Sequence, residues 1–452
     1  MKRMLSLIPL VVLSMSVYSQ DISGNWNGVL EVPGQKIPLV LNIEKDGSGY
    51  KSTLDIPSQG AKGLPVTSTS FANSRLTIKI ANLGAEYSGE LNSDGKIVGH
   101  FSQGGGSFPL TLSRGGLAPP KRPQMPRKPY PYYSEDVKFE NPDAKITLAG
   151  TLTLPNKDGV FPVVVLITGS GPQNRDEELL GHKPFLVLSD YLTRNGIGVL
   201  RYDDRGVGES QGKFADATTP DFATDVQSAV NYLKTRKDVK KNKIGLIGHS
   251  EGGAIAPIVA ANSKDIAFIV LLAGPGIAGD QILLLQKALI ERAAGVSEPD
   301  IQSGQTLLKG AYEIIKATTD STSVEGKLSA YFNANHVPEK EALAITNQLS
   351  SVWMQYFIKY DPSLALQKVK CPVLALNGEN DLQVPARVNL DAIKLNLEKA
   401  GNKQVTIKLL PKLNHLFQES ETGSPSEYAK IEQTFSPTAL KEISDWLVKQ
   451  TK

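Results

Sequence analysis

Ser250 stands between glycines in Gly248-His249-Ser250-Glu251-Gly252. The motif follows the apolar run Lys243-Ile244-Gly245-Leu246-Ile247 and opens the apolar stretch from Ala254 to Ala261. A serine on a sharp strand-to-helix turn exposes its hydroxyl at the carboxyl end of a sheet, and flanking glycines admit the strained backbone. A helix start beside it favours negative charge that develops nearby. This suits nucleophilic attack on a carbonyl, and the hydroxyl then needs a base.

Five histidines are available: His100, His182, His249, His336 and His415. His249 adjoins Ser250, so its side chain leaves the turn in another direction. His100 falls in an N-terminal β region and His336 in a helical segment. His182 lies between two apolar strands and is placed to line a pocket. His415 follows the last β-type run, Val405 to Leu410, and is the best base by elimination and position. A base of this kind needs a carboxylate to fix its tautomer and stabilise its cation. Asp381, in Gly378-Glu379-Asn380-Asp381 after the run Val373 to Leu376, is the choice, with Glu379 as the neighbouring competitor.

Runs at 162–167, 197–202, 243–247, 268–272, 372–376 and 405–410 are rich in Val, Ile and Leu. Amphipathic patterns separate them. One opens at Thr219-Pro220-Asp221 and carries Phe222, Val226, Val230 and Leu233 on one face. Such alternation predicts a parallel sheet covered on both faces. It breaks between about 276 and 361, where the pattern is helical throughout and predicts a cap inserted between two strands.

The chain order Ser250, Asp381, His415 is that of the α/β-hydrolase triad. The region 132–452 resembles the α/β-hydrolase superfamily, in particular bacterial serine esterases and serine aminopeptidase-like hydrolases. The resemblance rests on Thr168-Gly169-Ser170-Gly171-Pro172, Arg201 to Ser210, Gly248 to Gly253, Gly378 to Asp381, and Asn414-His415. It implies Ser250 as nucleophile, His415 as base and Asp381 as its partner. It also implies an oxyanion hole from the backbone N–H groups of Glu251 and of Ser170, with Gly171 as the alternative to Ser170. Many relatives have His where Thr168 stands. The implied activity is carboxylic-ester hydrolysis through an acyl-enzyme. Aminopeptidase-like hydrolysis of short peptides is the alternative, and Glu313, Glu325, Glu339 and Glu341 are the cap carboxylates available to hold a substrate ammonium.

The rest of the chain bounds this reading. Its 452 residues are enough for two or three domains. One cysteine excludes an internal disulfide framework and a cysteine-rich metal site. A net charge of +3 gives no electrostatic case for nucleic acid. No metal or nucleotide motif is present, so no cofactor is expected. Lys2 and Arg3, then an apolar run from Met4 to Val17, predict a signal peptide over 1–19 and hence a periplasmic or secreted product without a membrane span. Alternating runs with Gly and Asn/Asp turns over 20–115 predict about eight strands in a small antiparallel barrel. There, Gly24-Asn25-Trp26 and Arg114 resemble the Gly-x-Trp and terminal Arg of lipocalin-like barrels. The barrel is expected to be a structural or docking module whose protein partner is unknown, or alternatively a ligand-binding domain. Six prolines over 116–131 predict a solvated, semi-rigid linker.

Overall fold

The computed structural model describes residues 21–32, 35–57, 61–116 and 121–452. The expected signal peptide, 1–19, lies outside the described residues. The chain divides into two compact units, meeting at Pro119 and Pro120.

The first unit is a meander of nine strands: β1 (Gly24–Val32), β2 (Gln35–Asp46), β3 (Gly49–Ile56), β4 (Ala61–Pro65), β5 (Ser68–Ala72), β6 (Arg75–Ile80), β7 (Ala85–Leu91), β8 (Ile97–Gln103) and β9 (Gly106–Arg114). Neighbours pair in the order β2-β1-β9-β8-β7-β6-β5-β3, and β2 also pairs with β3. Eight strands therefore close on themselves, and β4 is an extra strand on β3. Closure leaves fewer unpaired edges than an open sheet of the same size. The inward alternation predicted by the sequence packs Trp26, Leu41, Ile43, Leu76, Ile78, Ile97 and Leu112 into one core. Trp26 is fully buried, donates from Nε1 to the Ile22 carbonyl at 2.8 Å, and lies under the Arg114 guanidinium at 4.7 Å.

The second unit is built on an eight-stranded sheet: β10 (Tyr133–Asn141), β11 (Ile146–Leu154), β12 (Phe161–Ile167), β13 (Gly198–Tyr202), β14 (Val239–His249), β15 (Phe268–Leu272), β16 (Val373–Gly378) and β17 (Val405–Leu410). Their order is β10-β11-β13-β12-β14-β15-β16-β17. Strand β11 alone runs against the others, antiparallel to both its neighbours β10 and β13, and the strands from β13 to β17 in that order run parallel. Helices α1 (Pro184–Arg194), α2 (Thr219–Thr235) and α3 (Gly252–Asn262) follow β12, β13 and β14 in turn. Two cores form, one on each face of the sheet, as the fully apolar central strands require.

Six helices separate β15 from β16: α4 (Gly279–Ala293), α5 (Glu298–Ala317), α6 (Val324–Ala334), α7 (Glu339–Leu349), α8 (Val352–Lys359) and α9 (Ser363–Leu366). They carry a separate core around Tyr312, Ile315, Leu328 and Phe332. Helices α10 (Ala386–Lys399) and α11 (Pro437–Thr451) complete the unit.

The segment expected to be a solvated linker is in part fastened to the second unit. Arg122 donates to the carbonyls of Leu180, Ala429 and Ile431, and Gln124 bonds the backbone of Thr434 and Phe435 at both its amide atoms. Met125 packs against the core beside α11. Proline content fixes the extended shape, whereas the interleaved polar side chains supply the anchors.

Candidate active site

Parallel strands end on one edge, and the loops that leave this edge carry the chemistry. Ser250 follows β14 with φ +52°, a left-handed conformation that is uncommon for a residue with a Cβ. The backbone is packed too closely for side chains on either flank. A Cβ on Gly248 would lie 1.9 Å from the Gly252 carbonyl oxygen, and one on Gly252 would lie 2.2 Å from that of Ile167. Both glycines are thus required by close approach.

The loop after β16 supplies Asp381 and the loop after β17 supplies His415, both buried. His415 Nδ1 lies 2.8 Å from Asp381 Oδ2. The other carboxylate oxygen accepts from the backbone N–H groups of Gln383 and Val384, each at 2.8 Å. With three donors around it, Asp381 serves as the acceptor for Nδ1–H, which leaves Nε2 of His415 as the basic atom. Glu379, the sequence competitor, turns to the surface and pairs with the exposed Arg387 at 3.5 Å. Asn414 shapes the histidine loop by accepting from the N–H groups of Leu416 and Gln418.

Ser250, Glu251 and Ser170 line one cavity of about 240 Å³. The backbone N–H groups of Ser170, Gly171 and Glu251 have no acceptor among the described residues, and of these three residues Gly171 does not line the cavity. By contrast, the N–H of Gly169 is taken by Glu177 Oε1 at 2.8 Å. A Cβ on Gly169 would lie 3.2 Å from that of Ser250, which shows how closely the loop after β12 approaches the serine. The cap contributes Ile282, Leu283, Gln286, Trp353, Met354 and Phe357 to the walls, so it covers the serine with a mainly apolar roof. Tyr356, grouped with Trp353 and Phe357 in the sequence, instead stacks on Tyr360.

Glu251 is the ionisable side chain in this wall. Its Oε1 accepts from Thr219 Oγ1 at 2.7 Å and from Trp353 Nε1 at 2.8 Å. Burial pushes its carboxyl up to about 6, and the two hydrogen bonds oppose that rise. Trp353 belongs to α8, so this bond ties the cap to the serine turn. Thr219 is the first residue of α2, one place beyond the capping Thr218. None of Glu313, Glu325, Glu339 or Glu341 lines the cavity.

His182 and the charged residues after β13 have structural partners. His182 is buried against the Tyr428 carbonyl and Thr434 Oγ1, each at 3.0 Å, and does not line the cavity. Burial pulls its pKa down to about 4, so it is neutral at pH 7. Arg205 forms a two-point buried pair with Asp225, at 2.7 and 2.9 Å. Asp203 braces Arg175 at 2.7 Å. Asp204 accepts from Thr168 Oγ1 at 2.7 Å and from the Gln173 N–H at 2.9 Å, which pins the loop after β12 at two points. Among the described residues no cluster of His, Cys, Asp and Glu is arranged to hold a metal ion.

Comparison with known proteins agrees with this architecture. Residues 184–421 match the family described as serine aminopeptidase, S33. The chain belongs to this family of α/β hydrolases. Esterase EstD of Thermotoga maritima is 28% identical over 322 residues, which cover 71% of this chain and 70% of that protein. Among solved structures, the α/β hydrolase GrgF from Penicillium is 17% identical, covering 71% of this chain and 99% of its own, with a TM-score of 0.46. The Pyrococcus furiosus esterase Pf2001 is 16% identical, covering 74% of this chain and 98% of its own, with a TM-score of 0.44. As a family member the chain is a hydrolase, with an antiparallel barrel preceding the hydrolase sheet.

Sequence reasoning missed Glu177, Gln286, Gln348 and Gln383. Glu177 sits in a loop with no periodicity, and only its φ of +51° with full burial marks it as unusual. The glutamines come from separate elements, and no sequence spacing links them.

Proposed function

We propose that the protein is an exported serine hydrolase that cleaves carboxylic esters of small molecules, with Ser250, His415 and Asp381 as its triad. The observation that carries this reading is the Asp381–His415 contact of 2.8 Å at the edge where Ser250 occupies its left-handed turn. In the proposed cycle, Ser250 Oγ bonds to the substrate carbonyl carbon while its proton passes to His415 Nε2. The carbonyl electron pair moves onto oxygen, where the free N–H groups of Ser170 and Glu251 receive it. The oxyanion then collapses, the ester C–O bond breaks, and the alkoxide leaves with the proton from His415. Water repeats the sequence on the acyl-enzyme and releases the acid and free Ser250.

A cavity of about 240 Å³ favours short acyl groups. The same nucleophile serves the second reading, amide hydrolysis of short peptides, and the Glu251 carboxylate in the wall is the feature that favours it. The test compares purified protein with Ser250→Ala on nitrophenyl esters of rising acyl length and on amino-acid nitroanilides. Ester turnover should fall on the order of 10⁴-fold or more without Ser250. Near-normal turnover by Ser250→Ala would sink the assignment, and Ser250-dependent preference for anilides would move the function to peptide trimming. Export is carried by residues 1–19 and is checked by the N-terminal sequence and compartment of the protein from its native cell.

A further inference from the structure

Next to Ser250 lies a buried pair that the proposed cycle does not use. His249 Nε2 lies 2.9 Å from the His415 carbonyl oxygen, which can only accept, so Nε2 carries a proton. His249 Nδ1 lies 2.9 Å from Glu177 Oε1. That same oxygen also accepts the Gly169 N–H at 2.8 Å. An oxygen receiving one donor from the loop after β12 is set to receive a second from the imidazole, so both ring nitrogens donate.

The surroundings fit a charged pair held for a purpose. His249 and Glu177 are both buried, at 6% and 5% exposure, and Phe185, Leu272, Phe417 and Phe435 wall them in. Burial alone lowers the imidazolium pKa, but the charge and hydrogen bond of Glu177, the His415 carbonyl and the charge of Asp381 outweigh it and raise it. The His249 ring centre is 4.8 Å from that of His415. Glu177 is itself held at φ +51°, a conformation that costs energy and persists only where the surroundings impose it.

We propose that Glu177 and His249 form an imidazolium–carboxylate clamp that fixes the loop bearing the oxyanion donor Ser170 to the loop bearing His415. Both are positioning residues, and the inference rests on the Ser250 reading above. The clamp has three anchors: Gly169 N–H, Glu177 Oε1 with His249 Nδ1, and His249 Nε2 with the His415 carbonyl. Ser250 is the next residue in the chain, so both catalytic loops take their distance from the serine turn. A neutral amide at position 177 cannot keep all three. Without the carboxylate charge the buried imidazolium loses a proton. Its Nδ1 lone pair then faces either the amide oxygen, which repels it, or the amide nitrogen, which turns a donor toward Gly169 N–H.

Two measurements test the clamp. In the full chain with ¹⁵N-labelled histidine, nitrogen NMR at pH 8, assigned with His249→Asn, should show both His249 ring nitrogens protonated. A neutral ring with one N–H would overturn the proposal, and this readout needs no activity. In kinetics on the preferred nitrophenyl ester, Glu177→Gln should lower kcat about 100-fold while KM stays within about two-fold. Thermal midpoints of both proteins establish that the variant is folded. A folded Glu177→Gln with unchanged kcat would reduce the pair to a packing element and overturn the proposal. If instead Ser250→Ala retains activity, the triad reading fails, whatever Glu177→Gln does.

Discussion

Asp204 offers a direct test of how the loop after β12 is held. Burial, reinforced by the charges of Glu177 and Glu251, pushes its carboxyl up to about 8 from an ordinary 3.8, against the hydrogen bonds from Thr168 and Gln173. The folded protein therefore keeps a proton that the unfolded chain has released throughout the window between these values. Stability must fall as pH rises through that window, with a slope of about 1.4 kcal/mol per pH unit for one proton. Between pH 5 and 8 the loss attributable to Asp204 is about 4 kcal/mol. Asp204→Asn removes the proton but keeps the contacts, since its oxygen accepts the Gln173 N–H and its amide donates to Thr168 Oγ1. His182 acts oppositely, because a pKa lowered to about 4 makes stability rise with pH up to its unfolded value. The informative quantity is therefore the difference between wild type and Asp204→Asn, which cancels His182. Urea unfolding followed by tryptophan fluorescence gives it, with Trp353 and Trp446 reporting on the hydrolase unit. The variant should be near wild type at pH 5 and more stable by several kcal/mol at pH 8. A difference independent of pH would refute the protonated, buried carboxyl.

Other outcomes follow from the same geometry. Gly252→Ala should abolish ester turnover and destabilise the hydrolase unit, because its Cβ would sit 2.2 Å from the Ile167 carbonyl oxygen; activity and a melting curve check it. Asp225→Asn should cost about 3–5 kcal/mol, because it leaves the buried Arg205 guanidinium without its counter-charge; urea melts at pH 7 read this directly. Trp353→Ala should move the preferred nitrophenyl ester to longer acyl chains by opening the cavity roof; kcat/KM across acetyl to octanoyl esters shows the shift. The more conservative Trp353→Phe removes one donor from Glu251 and should raise its carboxyl above about 6, visible by carboxyl-carbon NMR titration.

How much of this was legible in the sequence differs by residue, for physical reasons. Central strands such as β12 and β15 are buried on both faces, so their unbroken apolar runs identify them. The hairpin β10–β11 is not marked by an apolar run, because β10 alternates charged with apolar residues as an edge strand. Ser250 was legible because the strained turn demands glycine at fixed positions. Asp381 and His415 were legible because their loops must follow strands on the same edge. Arg122 and Gln124 were not, since their partners outside the segment, apart from Leu180, lie about 300 residues away along the chain.

The same distinction explains why the loop after β12 was the hardest part to read. It is pinned by three carboxylates: Asp204 on Thr168 and Gln173 and Asp203 on Arg175, both from the loop after β13, and Glu177 on Gly169 within the loop itself. None of these contacts has a characteristic spacing: those of Asp203 and Asp204 cross between loops, and that of Glu177 joins two points of one irregular loop. The need for them is nevertheless physical. A free N–H can receive developing negative charge only if it is held in place without an acceptor of its own. In this loop the N–H groups of Gly169, Gln173 and Arg175 are occupied, while those of Ser170 and Gly171 have no acceptor among the described residues. An ionised carboxylate suits the task because a charged acceptor makes stronger hydrogen bonds to backbone N–H groups than a neutral one, whereas Asp204 accepts in its neutral form. Their cost is repulsion between Glu177, Asp204 and Glu251, which helps keep Asp204 protonated. The protonated Asp204 and the proposed His249 imidazolium are thus two answers to one problem: supplying acceptors to a buried loop without accumulating negative charge beside the proposed oxyanion site.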